Sequence, residues 1–205
     1  GVHILYHDGV WDEKSTGKGP VAASTWIDAE AVLLKDTDGD LTADRPVSLD
    51  DILTLAKDKL YLEIDFKSSA KYETVINAIR DAGMADRVIL IAYNEAQARR
   101  MAMLAPEMLL SVSLRSEADV LALENEGVSK SNMNAWAGRG PYNAGFMAEL
   151  KAQGIPVLAW PSRDDVDATA IPASLIVSDY AFDHSPIIGL TDDNRAQYQD
   201  CLDSN

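Results

Sequence analysis

The chain has 205 residues, 47% of them apolar, enough to bury the core of one domain. Its 33 acidic and 18 basic side chains leave a formal net charge of -15, a field that repels nucleic-acid phosphates and anionic lipid. The only cysteine, Cys201, excludes an intrachain disulfide and a Cys-based zinc site, and no apolar run approaches the roughly 20 residues of a membrane span.

In chain order, VHILYHD reads as a strand that ends in His7-Asp8. It opens without the basic start and apolar stretch of a signal peptide, and the compartment, cytoplasmic or periplasmic, stays unresolved. A polar stretch rich in Gly, Asp and Thr runs to Asp44, with a short helix within 26–34. Ser48 and Asp51 have the spacing of a capping box, and Leu49, Ile52, Leu53 and Ala56 form the stripe of the helix that follows.

From Leu60 the pattern is rhythmic: a short apolar run, a helical period, then a glycine or proline stop. Strands are predicted over 60–67, 87–93, 109–114, 132–136, 156–160 and 175–180. The helices between them show Tyr72, Val75, Ile76 and Ile79 before Gly83, a second helix ending at Pro106, Ala118, Leu121 and Ala122 before Gly127, and Phe146, Met147 and Leu150 before Gly154. Alternation of this kind implies parallel strands with crossover helices, in a doubly wound open sheet or a closed barrel. Residues 1–46 read as an inserted excursion within a single domain spanning 1–205, and the strands of that domain fall within 47–190.

LYLEIDFK carries the most chemical information. Glu63, Asp65 and Lys67 share one strand parity, and Leu60, Leu62, Ile64 and Phe66 share the other. Charges on an inward face are costly unless they pair or bind a metal, so the strand is either a solvated edge or one wall of a site where a divalent cation and a phosphate meet. His7, taken alone, is an ordinary loop histidine. Asp36, Asp38 and Asp40 suggest a calcium loop, but Leu41 and Val47 stand where an EF-hand needs Gly and Glu, which leaves a solvated acidic turn. STGKGP lacks the spacing of a P-loop. His3 and His184 are expected in structural or surface roles. Trp160 closes one strand run, Trp136 holds the same place one strand earlier, and both suit a core as well as a site.

Taken in order, HDGVWDEKSTGKGPV, VSLDDIL, EIDFK, PVLAW and LIVSDY resemble the landmarks of glycerophosphodiester phosphodiesterases across nearly the whole chain. Asp65 stands where Glu is more usual, Pro161 follows Trp160 where Thr is expected, and Ser178 with Asp179 replaces Thr-Asp. The resemblance implies a TIM-type (β/α)8 barrel and hydrolysis of a small glycerophosphodiester to glycerol phosphate and an alcohol. Mg²⁺ or Ca²⁺ is then expected on Asp65 and Glu63, with Lys67 on the phosphate, His7 as general acid and Trp160 as a wall for the glycerol or alcohol side.

The family's opening His-Arg-Gly strand and Glu-x-Asp strand do not occur in these residues. Since such a barrel takes about 250 residues, the expectation is a chain lacking the first two barrel strands, whose open edges are covered by an N-terminal segment or another chain. A degenerate barrel that binds a phosphate ligand without turning it over is the alternative expectation. Neither nucleic acid nor stable membrane insertion is expected.

Overall fold

In the computed structural model, which describes residues 1–160 and 171–177, each predicted strand–helix repeat is present, with shorter strands than the apolar runs suggest. The described residues form two compact units. One comprises Gly1–Ile91 with Arg100–Leu109, the other Ala92–Arg99 with the described residues from Leu110 onward. Pro161, Ser178, Asp179, His184 and Cys201 lie outside the described residues.

The first unit opens with β1 (Ile4–Leu5), which pairs antiparallel with β2 (Val47–Ser48) in the register Ile4 with Ser48 and Leu5 with Val47. The strand expected to continue through His7-Asp8 therefore stops after two residues, because the chain turns and those two side chains bond to each other. Between β1 and β2 lies α1 (Trp26–Glu30), capped by Thr25. The Thr25 hydroxyl oxygen accepts from the Asp28 N–H, and the Asp28 carboxylate accepts from the Thr25 N–H at 3.0 Å. This segment has its own small core. Trp11 is 1% exposed and packs with Ala29 and Val32 under Ile4, Tyr6 and Leu34, while its indole N–H donates to Ser24 Oγ at 2.8 Å. The DTDGD turn is held by Asp36, whose carboxylate accepts from the N–H groups of Asp38 and Asp40.

Ser48 caps α2 (Leu49–Ala56): its Oγ accepts from the Asp51 N–H at 3.1 Å and donates to the Asp51 carboxylate at 2.6 Å. The turn after α2 passes through Asp58 at φ 62°, and the Leu60 N–H still bonds back to the Ala56 carbonyl. Leu60 is thus held at the helix end and exposed, a correction to its expected place on the apolar face of the strand. The strand itself is β3 (Leu62–Asp65), followed by α3 (Tyr72–Asp81), which buries Val75, Ile76 and Ile79 as its spacing predicts. β3 pairs in parallel with β4 (Val88–Ala92), Glu63 opposite Ile89 and Asp65 opposite Ile91.

After α4 (Glu95–Leu104), the second unit carries β5 (Leu109–Ser113), α5 (Glu117–Asn125), β6 (Met133–Trp136), α6 (Ala144–Ala152), β7 (Val157–Ala159) and β8 (Leu175–Ile176). β5, β6, β7 and β8 pair in parallel in that order. Met133, Ala135, Val157 and Ala159 are fully covered. α6 buries Met147 and Leu150 as expected. α5 does not follow its predicted stripe: Ala118 and Leu121 are exposed, and Val120 and Leu123 are buried instead. Both sets fit a helical period, and burying Val and Leu removes more apolar area from water than burying alanines.

Candidate active site

Alternation along β3 sends Glu63 and Asp65 to one side and Leu62 and Ile64 to the other. Lys67, just beyond the strand, donates from Nζ to Asp65 Oδ2 at 2.6 Å. The Asp65 side chain is 25% exposed, yet its Oδ1 is buried with no hydrogen-bond partner among the described residues. A buried acceptor left unpaired costs about 1 to 3 kcal/mol, and more when it is charged. One oxygen of Asp65 is thus neutralised by an ammonium while the other is in position to accept a cation or a donor. The opposite face of this segment is anchored by Phe66, which is buried and stacks on Tyr72 with ring centroids 4.6 Å apart.

The donor chemistry of Asp65 Oδ1 fits one ligand of a hard divalent ion, and Glu63, exposed on the same side, fits a second. Among the described residues no three His, Cys, Asp or Glu side chains converge as a metal-holding group, so these two account for only part of a ligand set.

His7 is not drawn into the Asp65–Lys67 pair. Its side chain is 90% exposed, and its Nδ1 lies 2.8 Å from Asp8 Oδ1. The His3 Nε2 accepts from the Lys71 N–H at 3.4 Å, and burial, reinforced by the Lys71 ammonium, lowers its pKa.

In the second unit, Trp160 follows β7 directly, and its indole meets Trp136 edge to face with centroids 6.4 Å apart. Sequence reasoning singled out both tryptophans but missed their neighbours. The Arg139 guanidinium lies 4.2 Å from the Trp160 ring centroid, and the Tyr142 hydroxyl donates to the Trp160 carbonyl at 2.7 Å. Burial raises the Tyr142 pKa, so this hydroxyl stays protonated as a donor. Asn134, two residues before Trp136 on the same strand face, is 1% exposed with both amide atoms unpartnered among the described residues. No periodic signal marks Arg139 or Tyr142, because they sit in a loop whose geometry depends on its docking to β7.

A cavity of about 400 Å³ opens where β4 and β5 give way to α4 and α5, lined by Tyr93, Asn94, Ser113 and Asp119 among others. None of the predicted site residues lines it. Its polar groups already cap helices: Asn94 Oδ1 accepts from the Gln97 N–H, and the Asp119 carboxylate accepts from the Arg115 and Ser116 N–H groups.

No family model matches the sequence, and no curated protein matches it. Solved structures do. A glycerophosphoryl diester phosphodiesterase from Parabacteroides distasonis superposes with a TM-score of 0.79 at 22% identity, over 91% of this chain and 70% of that one. A glycerophosphodiester phosphodiesterase from Agrobacterium tumefaciens gives a TM-score of 0.69 at 18% identity, over 87% and 78%. An Oleispira antarctica phosphodiesterase, in complex with the product sn-glycerol-3-phosphate, gives 0.70 at 14% identity, over 91% and 79%. The chain therefore shares the α/β fold of these phosphodiesterase structures.

Proposed function

We propose that the protein is a glycerophosphodiester phosphodiesterase, hydrolysing its substrate to glycerol phosphate and an alcohol, and that its parallel strands from β3 onward are the third to eighth of a (β/α)8 barrel. The observation that carries this reading is the likeness in fold, over 91% of the chain, to a phosphodiesterase of that kind. The paired Asp65 and Lys67 add the chemistry such a reaction needs.

In this reading Lys67 neutralises charge on the phosphate, and Asp65 Oδ1 with Glu63 would hold Mg²⁺ or Ca²⁺. A divalent ion bound there supplies Lewis-acid polarisation of a phosphate oxygen. Attack of water on phosphorus breaks the bond to the alcohol oxygen, and His7 delivers a proton to that oxygen. The base that takes the proton from water is placed by the resemblance on a His-Arg-Gly strand, which the 205 residues do not contain. The resemblance gives Trp160 as a wall for the glycerol or alcohol side. The exposed position of His7, bonded to Asp8, favours a second reading in which the fold binds a phosphate ligand without turnover.

The test is hydrolysis of glycerophosphocholine by the full-length protein with Mg²⁺ or Ca²⁺. Release of glycerol phosphate is expected. His7→Ala should lower kcat by about 100-fold or more while metal affinity stays unchanged. Asp65→Asn should raise the metal concentration needed for half-maximal activity by about tenfold or more. Tight binding of the diester with no turnover would establish the second reading, and equal turnover in His7→Ala and its parent would remove His7 from the mechanism.

A further inference from the structure

β5 and β6 pair in parallel with Ser111 opposite Asn134 and Val112 opposite Ala135. Val112 shares a cavity wall with Ala98 of α4 and Leu123 of α5, so those helices lie on its side of the sheet, and strand parity sends Ser111 and Asn134 to the other side. All of these residues belong to the second unit. Both polar residues are enclosed, Ser111 at 4% and Asn134 at 1% exposure. Yet neither Nδ2 nor Oδ1 of Asn134 has a hydrogen-bond partner among the described residues, Ser111 included. A carboxamide carries two donors and a carbonyl oxygen with two lone pairs, and leaving both ends unpaired in the interior works directly against folding.

We infer that Asn134, with Ser111 beside it, is a binding seat for one neutral hydroxyl oxygen, that of a water molecule or of a small alcohol. A hydroxyl both donates and accepts, so one such group closes a ring with the amide: its O–H donates to Oδ1 while its oxygen accepts from Nδ2. A carbonyl or phosphate oxygen answers only the donor end, and an ammonium only the acceptor end. Neither strand carries a charged side chain, so an ion held there by these strands would be buried without a counter-charge, which is costly. A water in a polar interior site makes about three hydrogen bonds, which the two amide atoms and the Ser111 hydroxyl supply. The seat needs neither the Asp65–Lys67 pair, which belongs to the first unit, nor turnover of a diester.

The experiment uses the full-length protein. A crystal structure grown without polyols should show an oxygen about 2.7 to 3.2 Å from both amide atoms of Asn134. After a glycerol soak, a glycerol hydroxyl at that position identifies the alcohol as the occupant, and an unchanged water identifies water. In solution, the side-chain amide protons of Asn134 should show a rotating-frame cross-peak to water, and glycerol should shift them only where the alcohol takes the seat. Asn134→Asp tests neutrality. A buried carboxyl that faces a hydroxyl and no cation has a raised pKa, so the variant keeps its stability while protonated and loses it as pH rises. Its thermal midpoint should lie close to the parent's at about pH 4 and about 4 °C or more below it at about pH 8. The inference is overturned by an amide bonded only to protein atoms, or by a position without an oxygen and without a water cross-peak. It is overturned as well if Asn134→Asp is no more sensitive to pH than the parent, since a cation would then face the amide.

Discussion

A methyl group added at Gly17 would stand 2.7 Å from Cγ and 2.8 Å from Cβ of Trp11, and 3.1 Å from a Val32 methyl. Trp11 cannot yield easily, because it is almost fully buried and its indole N–H is tied to Ser24. Gly17→Ala is therefore predicted to destabilise the segment between β1 and β2 by about 1 to 3 kcal/mol, the usual cost of overpacking. Urea unfolding followed by tryptophan fluorescence would show it, and an unchanged midpoint would contradict this packing. The polar composition around Trp11 gave no sign of this core, since its members are as far along the chain as Val32 and Leu34. At Asp65 the residue scale was more legible: strand parity alone put it on a charged face with Glu63. What parity could not reveal was that Lys67 takes one oxygen and leaves the other buried and unpaired.

Between elements, α3 is tied to the stretch after α4 by one arginine. Arg80 donates to both carboxylate oxygens of Glu107, at 2.6 and 3.1 Å, and to the Leu104 carbonyl at 2.6 Å. The hydrogen bonds from Arg80 lower the Glu107 pKa from its ordinary 4.5. A depressed carboxyl pKa adds stability that is fully present above the unfolded value and lost as pH falls through the folded one. Both side chains are more than a third exposed, so solvent screens the pair and its worth stays below about 1 kcal/mol. Glu107→Gln should thus lower stability slightly at pH 7 and leave it unchanged at pH 2.5, as read by thermal melts at the two pH values. A larger loss at the acid end would reverse the assignment. Helix positions were readable from periodicity, as α3 and α6 show, but α5 was readable only as a helix. Its apolar residues support two faces, and the folded chain buries the one bearing Val120 and Leu123.

For the whole molecule, β3 bonds to β4 on one side, and among the described residues no strand pairs with its other side. A strand edge with no strand partner among the described residues, beside Leu62 and Ile64, is a template for another strand. Residues 1–205 expressed alone should therefore self-associate, measurable by light scattering on a sizing column. A monodisperse monomer at roughly 100 μM would contradict the exposed edge as a driver of association. The alternation of β-branched runs with helical periods was enough by itself to determine a parallel α/β fold, because parallel neighbours need crossover helices and few other arrangements bury both patterns. The ordered motifs likewise placed the charged strand and the tryptophans. Only the tertiary structure decided that Trp11 seeds a core in a polar segment, that His7 bonds to Asp8 in solvent, and that Arg139 lies over Trp160. The physical reason is range: strand parity and helix period are set by covalent geometry within a few residues, whereas loop placement depends on hydrogen bonds and packing between residues far apart in the chain.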